Sequence, residues 1–453
     1  MFSKIGKNKS LKTLIKNSFV VDSGIIQKKD ILISNDIIQK ISNKINIEAD
    51  KVFDCEGLHI IPGVIDDQVH FREPGLTHKG DLYSESKAAI AGGITSFMEM
   101  PNTSPQTLTQ DLLKKKFQLG KQKSLANFSF FMGASNDNID EVLCSDPKKV
   151  GAIKIFMGSS TGNMLVNKLE TLNELFKKSK ILLVVHCEDE EIINKNLSFY
   201  KKKYADNIPI NCHPKIRTEE ACFKSSSLAV ELAKKYKTRL HIFHISTAKE
   251  LSHFTNNLPV EKKQITSEAC IHHLWFSEKD YENKGTYIKW NPAIKTESDK
   301  KKLIDAVNNN LIDIIASDHA PHTIIEKSNN YLKCPSGGPL VQHSLVAMLD
   351  LHHDGLVSLE KIVEKMCHNP AKLFRIKKRG YIKEGYHADL TILNLNKSWT
   401  VSKENILYKC GWSPFEGHTF KSSVEKCFVN GNLVYNLGKF DESFRGLPLE
   451  FSV

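Results

Sequence analysis

Ile60-Ile61-Pro62-Gly63-Val64-Ile65-Asp66-Asp67-Gln68-Val69 runs straight into His70-Phe71-Arg72-Glu73-Pro74-Gly75. The first part is apolar and of strand length; the residues after it bring an imidazole, a guanidinium and a carboxylate. A doubly wound nucleotide-binding sheet places a glycine-rich phosphate turn after its first strand, and none stands here. Outward from this stretch, apolar strand-like runs recur at 95–100, 128–132, 152–156, 181–185, 240–245, 264–270 and 312–316, eight in all with 60–69. Helical patterns lie between them, as at 84–91, 112–119, 219–236 and 299–308, and Thr107 with Gln110 reads as a capping box for one of them. Eight strand–helix units predict an α/β fold, a (β/α)8 barrel of the TIM type, in preference to an open doubly wound sheet.

The two chain ends read differently. Short strands are predicted at 15–21, 30–33 and 37–41, and again at 388–393, 423–429 and 433–434. Asn430-Gly431 between two apolar runs is a hairpin signal. The expected organisation is a composite β-sandwich from 1–61 plus 376–453 around a catalytic barrel at 62–375. Residues 324–333, polar and Asn-rich, read as an exposed loop.

The net charge of +11 comes from lysines spread along the chain, without an arginine–aromatic stripe, so no nucleic-acid partner is expected. No apolar run is long enough for a membrane span, and the basic stretch 1–16 lacks the apolar core of a secretory signal. The expected location is cytoplasmic, with no membrane partner and a homodimer left open. The ten cysteines have no CxxC pairing and read as free thiols.

Chemistry in such a barrel sits at the C-terminal ends of the strands. Those ends carry Gln68, His70 and Arg72; then Asn102; then Lys154; then His186-Cys187-Glu188-Asp189; then His244; then His272-His273; and finally Ser317-Asp318-His319-Ala320-Pro321-His322. One histidine at a strand end is commonly structural, whereas His, Lys, His, His and Asp on separate strands form a ligand-like set. Neutral imidazoles with a carboxylate suit zinc and similar divalent ions, which make hydroxide available near neutrality. Lys154, inside an apolar run, either snorkels outward as an ammonium or becomes an anionic ligand after carbamylation. Cys187 reads as buried filler; His213, His241, His272, His273 and His319 read as structural.

At this point the chain resembles the class I dihydroorotases, cyclic amidohydrolases of the amidohydrolase superfamily. The resemblance rests on Pro62-Gly63-Val64-Ile65-Asp66 through Phe71-Arg72-Glu73-Pro74-Gly75, on Gly92-Gly93-Ile94-Thr95, on Met100-Pro101-Asn102-Thr103, and on Ser317-Asp318-His319-Ala320-Pro321-His322. It spans nearly the whole chain and implies the barrel with its sandwich of both ends. The implied reaction is the reversible cyclisation of N-carbamoyl-L-aspartate to L-dihydroorotate in pyrimidine synthesis, with one or two zinc ions. The implied metal ligands are His70, a carboxylated Lys154, His186, His244 and Asp318, with Asp318 also the general base and acid. Arg72, Asn102, Asn291 and His322 fall at substrate-holding positions, and Cys334-Pro335-Ser336-Gly337-Gly338 matches a backbone-binding loop in place but not in wording. Gln68 departs from the family, which has a histidine there. Either its amide oxygen is a ligand, or one metal is weakly held, or the site runs on one metal, or the chain is inactive. The rival readings are another cyclic amidohydrolase (dihydropyrimidinase, hydantoinase or allantoinase) and a non-catalytic partner of aspartate transcarbamoylase.

Overall fold

The computed structural model describes residues 10–158 and 163–453. Residues 1–9, part of the predicted N-terminal range and of the basic start, lie outside the described residues, as do 159–162.

All eight predicted barrel strands are present. In chain order they are strand one Val64–Val69, two Ile94–Glu99, three Asn127–Phe130 continued by Met132–Gly133, four Ala152–Phe156, five Leu182–His186, six Leu240–Ile242, seven Ile265–Cys270 and eight Ile314–Ala316. Every residue of strands one, two, four, five and seven is buried, as expected for parallel strands covered on both faces. Strands three to eight pair in sequence, as do one to three. The ring closes where Val69 bridges His319 and the His70 amide donates to the His319 carbonyl at 2.7 Å.

Helices pack between the strands, and their starts are built from local hydrogen bonds. Asp81 caps the helix Leu82–Ala91 through a reciprocal bond with Ser84. The helix Gln110–Lys123 corrects the predicted cap: Thr109, not Thr107, accepts from the Leu112 amide. The Thr107 amide closes a turn on the Pro101 carbonyl, and the Gln110 side chain is drawn away to the Glu141 carbonyl and Ser145.

Strands from both chain ends share one nine-stranded sheet. Its junction is the antiparallel pairing of Leu390–Asn394 with His59–Pro62, which leads through Gly63 into strand one. Ile15, Ile31, Ile38, Ile60, Ile392 and Phe428 form its core. Asn430 and Gly431 make the predicted two-residue turn, with φ of 47° and 74°.

The stretch 324–333 is largely exposed as predicted, at Ile324, Ile325, Ser328, Asn329, Asn330 and Lys333, but it is not all loop. Ile324–Lys327 is a short helix, and Lys327 is fully buried because its Nζ donates to the carbonyls of Pro335 and Gly337 at 3.0 and 2.8 Å. No helix among the described residues is long and apolar enough to cross a membrane.

Candidate functional site

A cavity of about 860 Å³ opens at the C-terminal ends of the strands, and Gln68, His70, Arg72, Asn102, Lys154, His186, His244, Asn291, Asp318 and His322 all line it. The structure thus gathers every sequence-predicted site residue in one place. A larger cleft of about 1210 Å³ lies between the helix Gln110–Lys123 and the C-terminal segment, edged by Lys114, Lys121 and Lys377, and holds none of them. Three of the gathered residues, Arg72, His244 and Asp318, have φ of 71°, 41° and 47°. Side chains rarely adopt this left-handed region, and strain of this kind concentrates at functional sites.

Two pairs of groups meet at short range across the cavity. His70 Nδ1 lies 2.7 Å from Asn102 Oδ1, so that nitrogen carries the proton and donates. Its other nitrogen, Nε2, is 3.2 Å from Asp318 Oδ1, a lone pair against a carboxylate oxygen. Burial holds the His70 imidazole below its usual range, which keeps it neutral. On the far wall, His186 Nε2 donates to Glu188 Oε2 at 2.9 Å, leaving Nδ1 to face His244 Nε2 at 3.0 Å. Burial and the neighbouring His186 and Lys154 hold His244 well below its usual range. Burial pushes the Glu188 carboxyl up, but Arg217, 2.5 Å away, and the bond from His186 outweigh it and bring it down to about 2. Glu188 is therefore an anion that fixes the His186 tautomer.

Lys154 stands between these walls and is buried, so the outward-snorkelling alternative is not what the fold adopts. Its Nζ sits 4.2 Å above the Phe243 ring and 4.7 Å above the Phe156 ring. Burial brings its pKa down to about 7, against the pull of Asp318 and Glu268, so a substantial fraction is free amine at neutral pH. Gln68 spans two neighbours: its Nε2 donates to Asp318 Oδ1 at 3.2 Å, and its Oε1 accepts from Cys270 Sγ at 3.5 Å.

The third wall carries Arg72 and Lys79, the latter paired with Glu326 at 2.7 Å. Arg72 is buried, and its Nε donates to the Pro321 carbonyl at 3.0 Å, which fixes the plane of the guanidinium. His322 lies 3.1 Å from both Arg72 Nη2 and Lys79 Nζ. Burial, then those two cations, keep it neutral. Asn291 Oδ1 is buried in the same cavity without a hydrogen-bond partner among the described residues. Pro335, Ser336 and Gly337 complete the rim.

Glu188, Arg217 and Lys79 were not among the predicted site residues. Glu188 stands two residues after His186, a spacing at which a carboxylate orients an imidazole; Arg217 comes from a distant loop and has no local signal. The histidines read as structural are mostly so. His319 bonds Glu85 and accepts from the amides of Leu340 and Val341, His213 bonds Tyr331 and the Trp290 carbonyl, His273 reaches the Pro292 carbonyl, and His272 stacks on Trp290. His241 is different: its Nδ1 bonds Thr266, but its Nε2 faces Asp67 and Glu268. Cys187 is buried, with its thiol pushed up by burial, as filler should be.

A barrel with histidines from strands one, five and six, a lysine from strand four and an aspartate from strand eight defines a class. The chain belongs to the amidohydrolase family, whose profile matches residues 59–434. Within it the chain is similar to the dihydroorotase of Pyrococcus abyssi, 35% identical over 92% of this chain and 92% of that one. It is also similar to the dihydroorotase of Methanosphaera stadtmanae, 33% identical over 93% and 96%. Among solved structures, the L-hydantoinase (dihydropyrimidinase) from Arthrobacter aurescens superimposes with a TM-score of 0.90 at 27% identity, covering 94% of this chain and 97% of that one. The chain is a hydrolase of the kind that acts on cyclic amides.

Proposed function

We propose that this chain is a cytoplasmic dihydroorotase, which interconverts N-carbamoyl-L-aspartate and L-dihydroorotate, releasing water on ring closure, within pyrimidine synthesis. The observation that carries the reading is Arg72. A buried guanidinium, fixed by Pro321 and accompanied by Lys79 and a neutral His322, suits a substrate carboxylate. A neutral ring offers that wall nothing to pair with. Asn102 and Asn291 supply amide groups that orient the ring.

The donor set fits a divalent metal, by its chemistry zinc. His186 Nδ1 and His244 Nε2 converge at 3.0 Å, and His70 Nε2 turns a lone pair toward Asp318. A Lys154 amine that is free near neutrality can take up carbon dioxide and become an anionic ligand between them. When bound, the metal supplies a hydroxide nucleophile near neutral pH and polarises the amide carbonyl. In ring opening, Asp318 accepts the proton of the attacking water and returns it to the ring nitrogen as the C–N bond breaks; closure reverses both transfers. Gln68 holds Asp318 through its amide nitrogen, and its amide oxygen would grip a strand-one metal more weakly than an imidazole nitrogen.

Arg72→Met tests the reading. Loss of the guanidinium should lower kcat/KM for L-dihydroorotate by roughly 30- to 4000-fold, equivalent to about 2–5 kcal/mol for a charge pair with a buried partner. Any turnover of hydantoin or dihydrouracil should barely change. Equal losses on acidic and neutral rings would favour the second reading, a hydantoinase-like enzyme of neutral rings, to which the likeness to the L-hydantoinase structure points.

A further inference from the structure

Below the cavity floor, Asp67, His241 and Glu268 converge from strands one, six and seven. All three are fully buried. One ligand atom from each lies within 4.8 Å of the others. His241 Nε2 is 3.7 Å from Asp67 Oδ2 and 3.9 Å from Glu268 Oε2. His241 Nε2 has no hydrogen-bond partner among the described residues, and the inward oxygens of Asp67 and Glu268 face each other with a shared proton between them and no other donor. Glu268 Oε1 is satisfied by the His244 amide and the Cys270 thiol, and His241 Nδ1 by Thr266, so the remaining atoms are the ones turned inward.

Two buried carboxylates without donors are costly. Without an ion, burial pushes both carboxyls up and Asp67 and Glu268 hold a proton between them, which a divalent ion would displace; His241 Nε2 lies about 1 Å beyond hydrogen-bond range of either carboxyl. A divalent ion with bonds of about 2.0–2.2 Å holds its ligand atoms about 3.0–4.2 Å apart, depending on the angle. The 3.7 and 3.9 Å separations fall in that range. An imidazole and two carboxylates make a borderline-hard set of the kind that takes zinc or manganese.

We propose that Asp67, His241 and Glu268 form a buried divalent-cation site, separate from the catalytic cavity, that ties barrel strands one, six and seven together beneath it. The site is linked to the cavity through Cys270, whose thiol reaches both Glu268 Oε1 and Gln68 Oε1. This chain therefore has a glutamine on the cavity side of strand one and, one residue earlier, a carboxylate on the inner side. A sealed ion is acquired during folding and does not exchange by dialysis.

The test uses the full chain expressed with added zinc and then dialysed against chelator. Anomalous diffraction at the zinc edge should show a peak between Asp67, His241 and Glu268. Metal per chain should fall by one equivalent in Asp67→Asn and in Glu268→Gln, and in wild type that equivalent should leave only on unfolding in chelator. A map without the peak, or variants with the same retained metal as wild type, would overturn the proposal. The peak is read without any assay, so an absence of dihydroorotate turnover would sink the proposed function and leave this site standing.

Discussion

Glu188 carries the His186 ring. It accepts from His186 Nε2 and is itself held by Arg217, so the nitrogen turned to the cavity is settled by a residue that touches no substrate. Glu188→Gln can still accept that bond but loses the charge, and metal affinity should fall about 10- to 100-fold; competition with a chelating dye reads it, and an unchanged affinity would make Glu188 a packing residue. Lys154→Ala should abolish turnover, with partial rescue by acetate and zinc together; wild-type turnover in the variant would remove Lys154 from the ligand set. At this scale the sequence was informative where chemistry sits at strand ends. His70, Lys154, His186, His244 and Asp318 are legible because ionisable groups on five separate strands, all toward one end of the barrel, have no packing explanation. Arg217 was not legible, because only the folded loop brings it to Glu188. His241 reads as structural because one of its nitrogens does what a structural histidine does, and only the fold brings Asp67 and Glu268 to the other.

The elements follow from patterns of different strength. Strand runs such as Ala152–Phe156 and Leu182–His186 were legible because parallel strands buried on both faces are continuously apolar. The cap of the helix Gln110–Lys123 was displaced by two residues because Thr107 and Thr109 offer the same hydroxyl, and the turn on Pro101 decides between them. Within the largely exposed stretch 324–333 the burial of Lys327 was not legible, because a lysine reads as exposed, whereas this one finds carbonyl acceptors inside the rim loop. The Asn430-Gly431 turn allows a sharper test. Gly431 has φ of 74°, and a Cβ there would lie 1.9 Å from the Asn35 carbonyl oxygen. Gly431→Ala should destabilise the fold by about 1–3 kcal/mol, seen as a lower midpoint in urea. An unchanged midpoint would mean that this hairpin does not pack on the Asn35 turn.

On the scale of the whole molecule, the chain ends fold into one sheet whose strand His59–Pro62 continues into barrel strand one, so the sheet anchors the strand that delivers Gln68, His70 and Arg72. Eight strands then bring their ends to a single cavity whose walls differ: histidines and a lysine on one side, Arg72 with Lys79 on the other. That division is the basis for reading an acidic cyclic amide as substrate. The most direct measurement is steady-state turnover by the zinc-loaded wild-type chain of L-dihydroorotate, dihydrouracil and hydantoin under identical conditions. L-dihydroorotate should be hydrolysed readily, with reverse cyclisation of N-carbamoyl-L-aspartate, and kcat/KM for the two neutral rings should be lower by at least about 100-fold. A neutral ring turned over as well as L-dihydroorotate, or no turnover of any of the three, would contradict the proposed function.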